Sequence, residues 1–324
     1  MTASSSPRGL LGAGVAMAFV GSLTAVSATI ADYPVFGGQA VRYTVAAAVL
    51  LAVAWFADRR RRWIKLSLRE WALLAALAAT GLAAFNVFIV AATHETSPAT
   101  IGTVIATVPV VLALAGPLME RRRPAPGLVV SAGMVAAGAA LANGLGSGSL
   151  RGLLLSLGAL AGEVCFSLLA VPLLPRLGPL RVSAYSAALA APMLLVIGLV
   201  ADGSGVLRAP TGAELAGFAY LTVIVTTIAF LLWYDAIGRL GADRAGLFAG
   251  VIPISAVVTT VVLGLAAPTT ADLAGAGLVA VGVVAGLRTG RSRRPDAPPA
   301  AVPAEAAAGV PVGAAAEVKA GAAA

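Results

Sequence analysis

Glu163 is the residue of this sequence best placed to do chemistry inside an apolar segment. It lies in an apolar run over residues 152–172 and is flanked by Gly158 and Gly162. An acidic side chain in such a segment is costly and usually faces a cavity. Because a carboxyl group exchanges a proton when it moves between water and a dry cavity, Glu163 is a candidate for proton coupling. The alternative is a structural role, in which Glu163 hydrogen-bonds a neighbour or pairs with Arg42.

Three further polar side chains in apolar runs could contact a substrate: Arg42, Asn86 and Tyr220. The guanidinium of Arg42 can bind a carboxylate through two hydrogen bonds, or it could extend to the edge of the apolar layer. The amide of Asn86 could orient a substrate or hydrogen-bond a neighbouring helix. Tyr220 could line a cavity or lie in an aromatic belt at the layer's edge, and the belt is the better interpretation for Trp233.

Pro109 and Pro253 each lie inside an apolar run. A proline in a helix interior frees a carbonyl group and kinks the helix, so both residues could form gates or could only shape the fold. A series of glycines in two other runs predicts close helix packing rather than ligand contact. These glycines are Gly133, Gly138, Gly277 and Gly282.

No sequence motif indicates an enzyme, a metal site or a cofactor. The sequence lacks a phosphate-binding GxxxxGKS/T loop and an HExxH motif, and Cys165 is the only cysteine. The only lysines, Lys65 and Lys319, lie outside the apolar runs, which excludes a retinal Schiff base. No cluster of aspartates supports a membrane prenyltransferase. We therefore predict no catalytic residue, no metal and no cofactor.

The composition requires lipid as the solvent. Of the 324 residues, 59% are hydrophobic and 11% are charged, with a mean hydropathy of +0.95, whereas soluble domains carry about 25% charged residues. So little polar surface cannot cover a water-facing exterior. The net charge of +8 does not indicate nucleic-acid binding, because the basic residues lie in short loops between apolar runs.

Ten apolar runs are long enough to cross a bilayer, which takes about 20 residues as a helix. The first run is too long for a signal peptide and is followed by a second run, so we interpret it as a transmembrane helix. Residues 289–324 lack patterned apolarity and are predicted to form a disordered cytoplasmic tail. The runs cover residues 10–31, 36–57, 70–93, 97–118, 125–143, 152–172, 181–201, 214–234, 245–266 and 271–288.

The loops between these runs predict the orientation. If the N-terminus is cytoplasmic, 19 of the 22 basic residues lie in cytoplasmic segments, including Arg59–Arg62. Only Arg151 and Arg208 lie in the opposite loops, and Arg42 lies within a run. This asymmetry predicts a multi-pass protein of the cytoplasmic (plasma) membrane with both termini in the cytoplasm.

An internal repeat relates the two halves. A shift of 144 residues aligns the third to fifth runs with the eighth to tenth without a gap, and it pairs the two prolines. The same shift pairs residues 67–70 (SLRE) with residues 211–214 (TGAE), and both segments resemble capping boxes that begin a helix. Because each half has five runs, the second half enters the bilayer from the opposite side.

The predicted fold is therefore an all-α integral membrane protein of ten transmembrane helices, built as two inverted five-helix repeats. The repeats are expected over residues 1–143 and 150–288.

Two segments carry the motifs of a known family. They are YDAIGRLGADRA (residues 234–245) followed by IPI (252–254), and SPAT (97–100) followed by VPV (108–110). On these motifs the sequence resembles the EamA domain of the drug/metabolite transporter superfamily. The resemblance implies a ten-helix bundle around a central cavity that exports or imports amino acids, nucleobase-like metabolites or toxic compounds. The usual glutamate after the ninth helix is Gly264 here.

We predict a secondary transporter that moves a small metabolite, amino acid or drug-like compound by alternating access, with proton-coupled efflux as one form. Its partners would be a small-molecule substrate and the lipid bilayer, with no nucleic acid. A channel or facilitative pore is the alternative, and a membrane-embedded enzyme fits less well. Channels favour a continuous polar lining, whereas the polar groups of these runs are scattered.

Overall fold

The computed structural model describes residues 6–57, 65–144, 148–264 and 267–289. In this part of the chain the regular structure is helical, apart from an isolated β-bridge between Thr96 and Gly148. We number its ten helical segments in chain order. They are α1 Pro7–Ser27, α2 Val35–Ala57, α3 Leu68–Thr93, α4 Pro98–Met119, α5 Pro126–Asn143, α6 Leu150–Leu168, α7 Leu174–Asp202, α8 Gly212–Leu240, α9 over 242–262 and α10 Thr270–Thr289.

The prediction of an all-helical membrane protein is confirmed. Within the described ranges, eight helices are long and apolar enough to cross a membrane, namely α2, α3, α4 and α6–α10. Two shorter apolar stretches, Pro7–Leu23 in α1 and Pro126–Ala142 in α5, occupy the places of the remaining two predicted spans. The predicted basic loop Arg59–Arg62 and the predicted tail beyond residue 289 lie outside the described residues.

Two helices of the second half differ from the sequence prediction at their ends. α7 begins at Leu174 rather than at residue 181, because a short helical turn precedes Gly178, whose φ of 71° breaks the helix. α8 continues to Leu240 rather than residue 234 and ends at Gly241, whose φ is 85°.

Both predicted capping boxes form. The Ser67 hydroxyl accepts a hydrogen bond from the Glu70 backbone N–H at 3.3 Å, and the Glu70 carboxylate accepts one from the Ser67 N–H at 2.8 Å. Thr211 and Glu214 exchange the same two bonds at 3.3 and 2.7 Å at the start of α8. The backbone donors of the first turn, which have no partner within the helix, are satisfied in this way.

The 144-residue shift also relates features that no motif indicates. α3 contains a π-helix over Leu77–Ala84 and α8 contains one over Leu221–Ile228, each bound lying 144 positions from its counterpart. Glu70 is bound by Arg176 near the start of α7, whereas its counterpart Glu214 is bound by Arg208 just beyond the end of α7. Equivalent residues therefore lie at opposite ends of α7, as an inverted repeat requires.

The two prolines lie beside helix breaks. α4 is interrupted between the segments Pro98–Ile105 and Val108–Met119, and α9 contains the 3₁₀ turn Gly246–Gly250 before the segment Val251–Val262. Pro109 and Pro253 both fall in the first turn of the segment that follows the break, so each proline lies next to an irregularity of its helix, and its role as a gate stays a prediction. At this position a proline costs little, because its missing N–H would have no partner within the segment.

The glycine series packs α5 against α10 only in part. A Cβ at Gly138 would lie 2.8 Å from the carbonyl oxygen of Gly275, and one at Gly282 would lie 3.0 Å from that of Ser131. These two glycines permit the close approach that the sequence predicts. A Cβ at Gly133 or Gly277 would meet no atom within 4 Å, so the packing prediction is wrong for them.

Candidate functional site

Glu163 lies on α6 in the interior of the bundle and is half-buried. Its carboxylate interacts electrostatically with the phenol groups of Tyr43 on α2 and Tyr234 on α8. Among the described residues it has no hydrogen-bond or ion-pair partner. The alternative in which Glu163 pairs with Arg42 is therefore not realised in this part of the chain.

Four aromatic side chains form a cluster beside Glu163: Tyr43, Phe166, Phe230 and Tyr234, all of them buried. The ring of Phe166 has its centroid 4.8 Å from that of Phe230 and 5.1 Å from that of Tyr234. The ring of Tyr43 is 6.4 Å from that of Phe230. These separations are within the range of favourable aromatic pairs, so the cluster joins α2, α6 and α8 around the carboxylate.

Arg42 is 5% exposed, although it lies within an apolar helix. Its Nε donates a hydrogen bond to the hydroxyl of Thr226 in the π-helix of α8, and its Nη1 donates one to the Gln39 side chain at 3.2 Å. The guanidinium carbon lies 5.4 Å from the centroid of the Tyr43 ring. No carboxylate among the described residues pairs with it. The interpretation that Arg42 extends to the edge of the apolar layer is wrong, because neighbouring side chains hold it inside.

Asn86 lies close to this centre, whereas Tyr220 lies elsewhere. The Asn86 amide donates to the carbonyl of Leu82 at 2.7 Å, and its side chain interacts with the Tyr43 phenol. The Tyr220 hydroxyl shares a hydrogen bond of 2.8 Å with Ser22 of α1. The structure therefore brings Glu163 and Asn86 together around Tyr43, and no described contact joins Tyr220 to them.

Trp233 corrects a sequence prediction. It is 2% exposed, and its indole nitrogen donates a hydrogen bond to the Ser167 hydroxyl at 3.2 Å. The interfacial belt is therefore the wrong interpretation, because the indole N–H has a partner on α6 and the ring packs in the core.

The aromatic cluster was missed by sequence reasoning, although a signal was present. Phe230 and Tyr234 are four residues apart and so share one face of α8. Phe166 follows Glu163 by three residues and shares its face of α6. Aromatic residues at helical spacing beside an acidic residue in an apolar run would have indicated this site.

A cavity of about 1090 Å³ opens between the ends of α4, α8, α9 and α10. We call it the arginine-lined cavity, after Arg122, Arg123, Arg239 and Arg244. Two of these arginines form ion pairs with acidic neighbours in the wall. Arg122 lies 3.6 Å from Asp243, and Arg239 lies 2.7 Å from Asp235. Tyr234 also contributes to the wall, so the cavity reaches the aromatic cluster.

Two ion-pair clusters lie at the opposite ends of α7. In the α3 clasp (Glu70, Arg176 and Lys65), Arg176 binds the Glu70 carboxylate and donates to the Lys65 carbonyl at 2.7 Å. Arg176 here, and Arg208 in the second cluster, each join the N-terminus of a membrane helix to a backbone carbonyl of the first half.

The α8 clasp consists of Glu214, Arg208, Asp32 and Tyr33. Arg208 binds the Glu214 carboxylate through two nitrogens, one of them at 2.9 Å, and donates to the Asp32 carbonyl at 3.3 Å. The Tyr33 hydroxyl donates to the Arg208 carbonyl at 2.8 Å. The hydrogen bonds to Glu214 raise the pKa of Arg208 above its ordinary value, so this arginine stays charged.

Comparison with known proteins adds family and fold evidence. Residues 7–144 and 150–287 each match the model of the EamA-like transporter family. The uncharacterized transporter YetK of Bacillus subtilis (strain 168) is 25% identical over 256 residues, which cover 76% of this chain and 77% of YetK. A solved crystal structure superposes with a TM-score of 0.72 over 87% of this chain and 98% of its own, at 22% identity, which supports the fold.

Proposed function

This chain belongs to the EamA-like transporter family, and we propose that it is a secondary transporter that moves a small metabolite, amino acid or drug-like compound by alternating access. The family and the transporter relative make it a transporter rather than an enzyme. Its apolar helices make it a multi-pass membrane protein, with lipid around it and a small-molecule substrate.

The observation that carries the proposal is that a half-buried acidic group and a buried basic group lie in the interior without mutual contact. Glu163 and Arg42 flank Tyr43, and neither has an oppositely charged partner among the described residues. Removing a charge from water without compensation is costly, so such groups are usually retained for function. A substrate with a carboxylate, such as an amino acid, could compensate the charge of Arg42, while a proton could compensate that of Glu163.

The halves of the chain support alternating access. We propose ten transmembrane helices in two inverted repeats over residues 1–143 and 150–288, with the substrate near the junction of the halves. The breaks beside Pro109 and Pro253 lie at equivalent positions of α4 and α9 and offer hinge points on both sides of the site. Asn86 would orient the substrate, and Tyr220 would line the access route on the other side.

The distribution of charge supports the orientation. The end of the bundle with the arginine-lined cavity also carries Arg8 and Arg176, whereas Arg151 and Arg208 lie at the other end. We propose that the first end faces the cytoplasm of a cell bounded by the plasma membrane, with both termini on that side.

Proton coupling through Glu163 is tested with purified protein in proteoliposomes. The first measurement is counterflow against a panel of amino acids and metabolites, because a carrier accelerates exchange when substrate is on both sides and a channel does not. Glu163→Gln keeps the size and hydrogen bonding of the side chain but fixes its neutral form. The variant should lose accumulation driven by a pH gradient while keeping exchange.

Glu95→Gln is the matched control, since it neutralises a carboxylate that lies at the end of α3 and pairs with Arg151. It should leave accumulation unchanged. Uphill transport with unchanged pH dependence in Glu163→Gln would reject coupling and favour facilitated transport. A lack of counterflow for every compound that equilibrates would favour a channel.

A further inference from the structure

We propose that Tyr234 is the barrier that separates the Glu163 site from the arginine-lined cavity. The proposal rests on the transport function proposed above and assigns the residue that must move for a substrate to pass between the site and that end of the bundle.

Tyr234 lies between the two regions. It contributes to the wall of the cavity, yet its side chain has no exposed surface. On its other side its phenol interacts electrostatically with Glu163 and with Tyr43. Tyr234 therefore belongs both to the cavity wall and to the surroundings of Glu163, so a displacement of this residue would bring the two regions into contact.

The contacts of Tyr234 are suited to a reversible closure. Its hydroxyl donates to the carbonyl of Phe166 at 3.4 Å, a long and therefore weak hydrogen bond, and it also hydrogen-bonds the Ser186 side chain of α7. Its ring centroid lies 5.1 Å from that of Phe166 and 6.3 Å from that of Phe230. Because the ring packs against two aromatic neighbours and has no exposed surface, we expect the closure to depend mainly on the ring.

The same contacts link the barrier to the site. Phe166 lies one helical turn after Glu163 on α6, and its carbonyl accepts the Tyr234 hydrogen bond. A substrate that displaces α6 at Glu163 would also displace the partner that holds Tyr234. Substrate binding at Glu163 and the opening of the Tyr234 barrier toward the cavity are thereby coupled through the turn of α6 between Glu163 and Phe166.

The test measures access to the site without any substrate. Cys165→Ser removes the only cysteine, and Glu163→Cys then places one thiol at the site. The probe is a membrane-impermeant, positively charged methanethiosulfonate reagent, added to one side of sealed vesicles. A cysteine at Arg123, which is exposed in the cavity wall, identifies in separate vesicles the side on which the cavity opens.

Tyr234→Ala should raise the labelling rate from the cavity side by about tenfold or more, because the rate follows the fraction of molecules in which the path is open. Tyr234→Phe keeps the ring and should stay within about twofold of the parent. Tyr234→Leu leaves less of a void in the core and should give an intermediate rise, which guards against a failure of the alanine variant to fold.

Tyr33→Ala is the matched control, since it removes a buried tyrosine at the far end of α7. It should leave the rate from the cavity side unchanged. Unchanged rates in both Tyr234→Ala and Tyr234→Leu would overturn the barrier role, and so would an equal rise from both sides. The labelling assay does not measure transport. Its result can therefore reject the barrier role of Tyr234 while counterflow supports the transport function, or support the barrier role while counterflow is absent.

Discussion

The α3 clasp and the α8 clasp are built from the same parts in a different order. Each closes a capping box with an arginine that also binds a backbone carbonyl. The arginine of the α3 clasp is Arg176. The residue 144 positions earlier is Asp32, and in the α8 clasp it supplies the backbone carbonyl that the arginine binds. The inverted repeat therefore keeps the position of the ion pair, while the residue that supplies the cation has changed.

The clasps also differ in burial. Glu214 is 6% exposed and Arg208 38%, against 14% and 51% for Glu70 and Arg176. Tyr33 adds a further contact to the α8 clasp, since the Arg208 guanidinium carbon lies 4.8 Å from its ring centroid. Because water screens an exposed pair more than a buried one, the α8 clasp should contribute more to stability.

The largest expected effect is the loss of the α8 arginine. Arg208→Gln should lower the thermal midpoint of unfolding in detergent more than Arg176→Gln does, because it leaves the more buried carboxylate without its cation. Arg151→Gln, which removes an arginine that is 78% exposed, should lower the midpoint least of the three. An equal or larger loss in Arg176→Gln would contradict the ranking.

A transplanted arginine would sharpen the comparison. Asp32 is exposed, lies beside the Arg208 guanidinium and stands 144 positions before Arg176. In an Arg208→Gln background, Asp32→Arg should restore part of the lost thermal midpoint, because the cation would approach Glu214 as Arg176 approaches Glu70. The same substitution with Arg208 present places two cations together and should not stabilise. No recovery in the double variant would argue against equivalent clasps.

The capping residues should give the smallest effects, and similar ones. Ser67→Ala and Thr211→Ala each remove one acceptor for a first-turn N–H, a change that costs about 1 kcal/mol at a helix start. Reversible unfolding in mixed micelles would measure both. A cost in one variant more than about twice that in the other would show that the clasp and not the cap determines stability at that end.

Composition was sufficient to predict the helices, but it did not predict which face of each helix is buried in the protein. A run of apolar residues locates a membrane helix, and the capping boxes mark where α3 and α8 begin, so these features were predictable from sequence. Trp233 was assigned to the wrong environment because lipid and protein core are both apolar, so an apolar sequence does not reveal which side is buried. Gly178 was overlooked because a glycine within an apolar run does not by itself show a positive φ.

The candidate site was predictable from sequence for its polar members in apolar runs, but not for its aromatic members. Glu163 and Arg42 stand out because a charge in an apolar helix is costly wherever it points. Phe166 and Phe230 resemble any other core residue in sequence. Their role depends on the distance between α6 and α8, which is set by packing between the halves and has no local signal.

The two π-helices determine which way the residues that follow them face around the axes of α3 and α8. In the π-helix Leu221–Ile228 the backbone hydrogen bonds span five residues, one more than in an α-helix, and the hydroxyls of Thr226 and Thr227 also donate to carbonyls five residues earlier. One surplus residue rotates everything after it by about 100°. Without it, Tyr234 would be turned away from α6, so this local irregularity directs the aromatic ring toward Phe166.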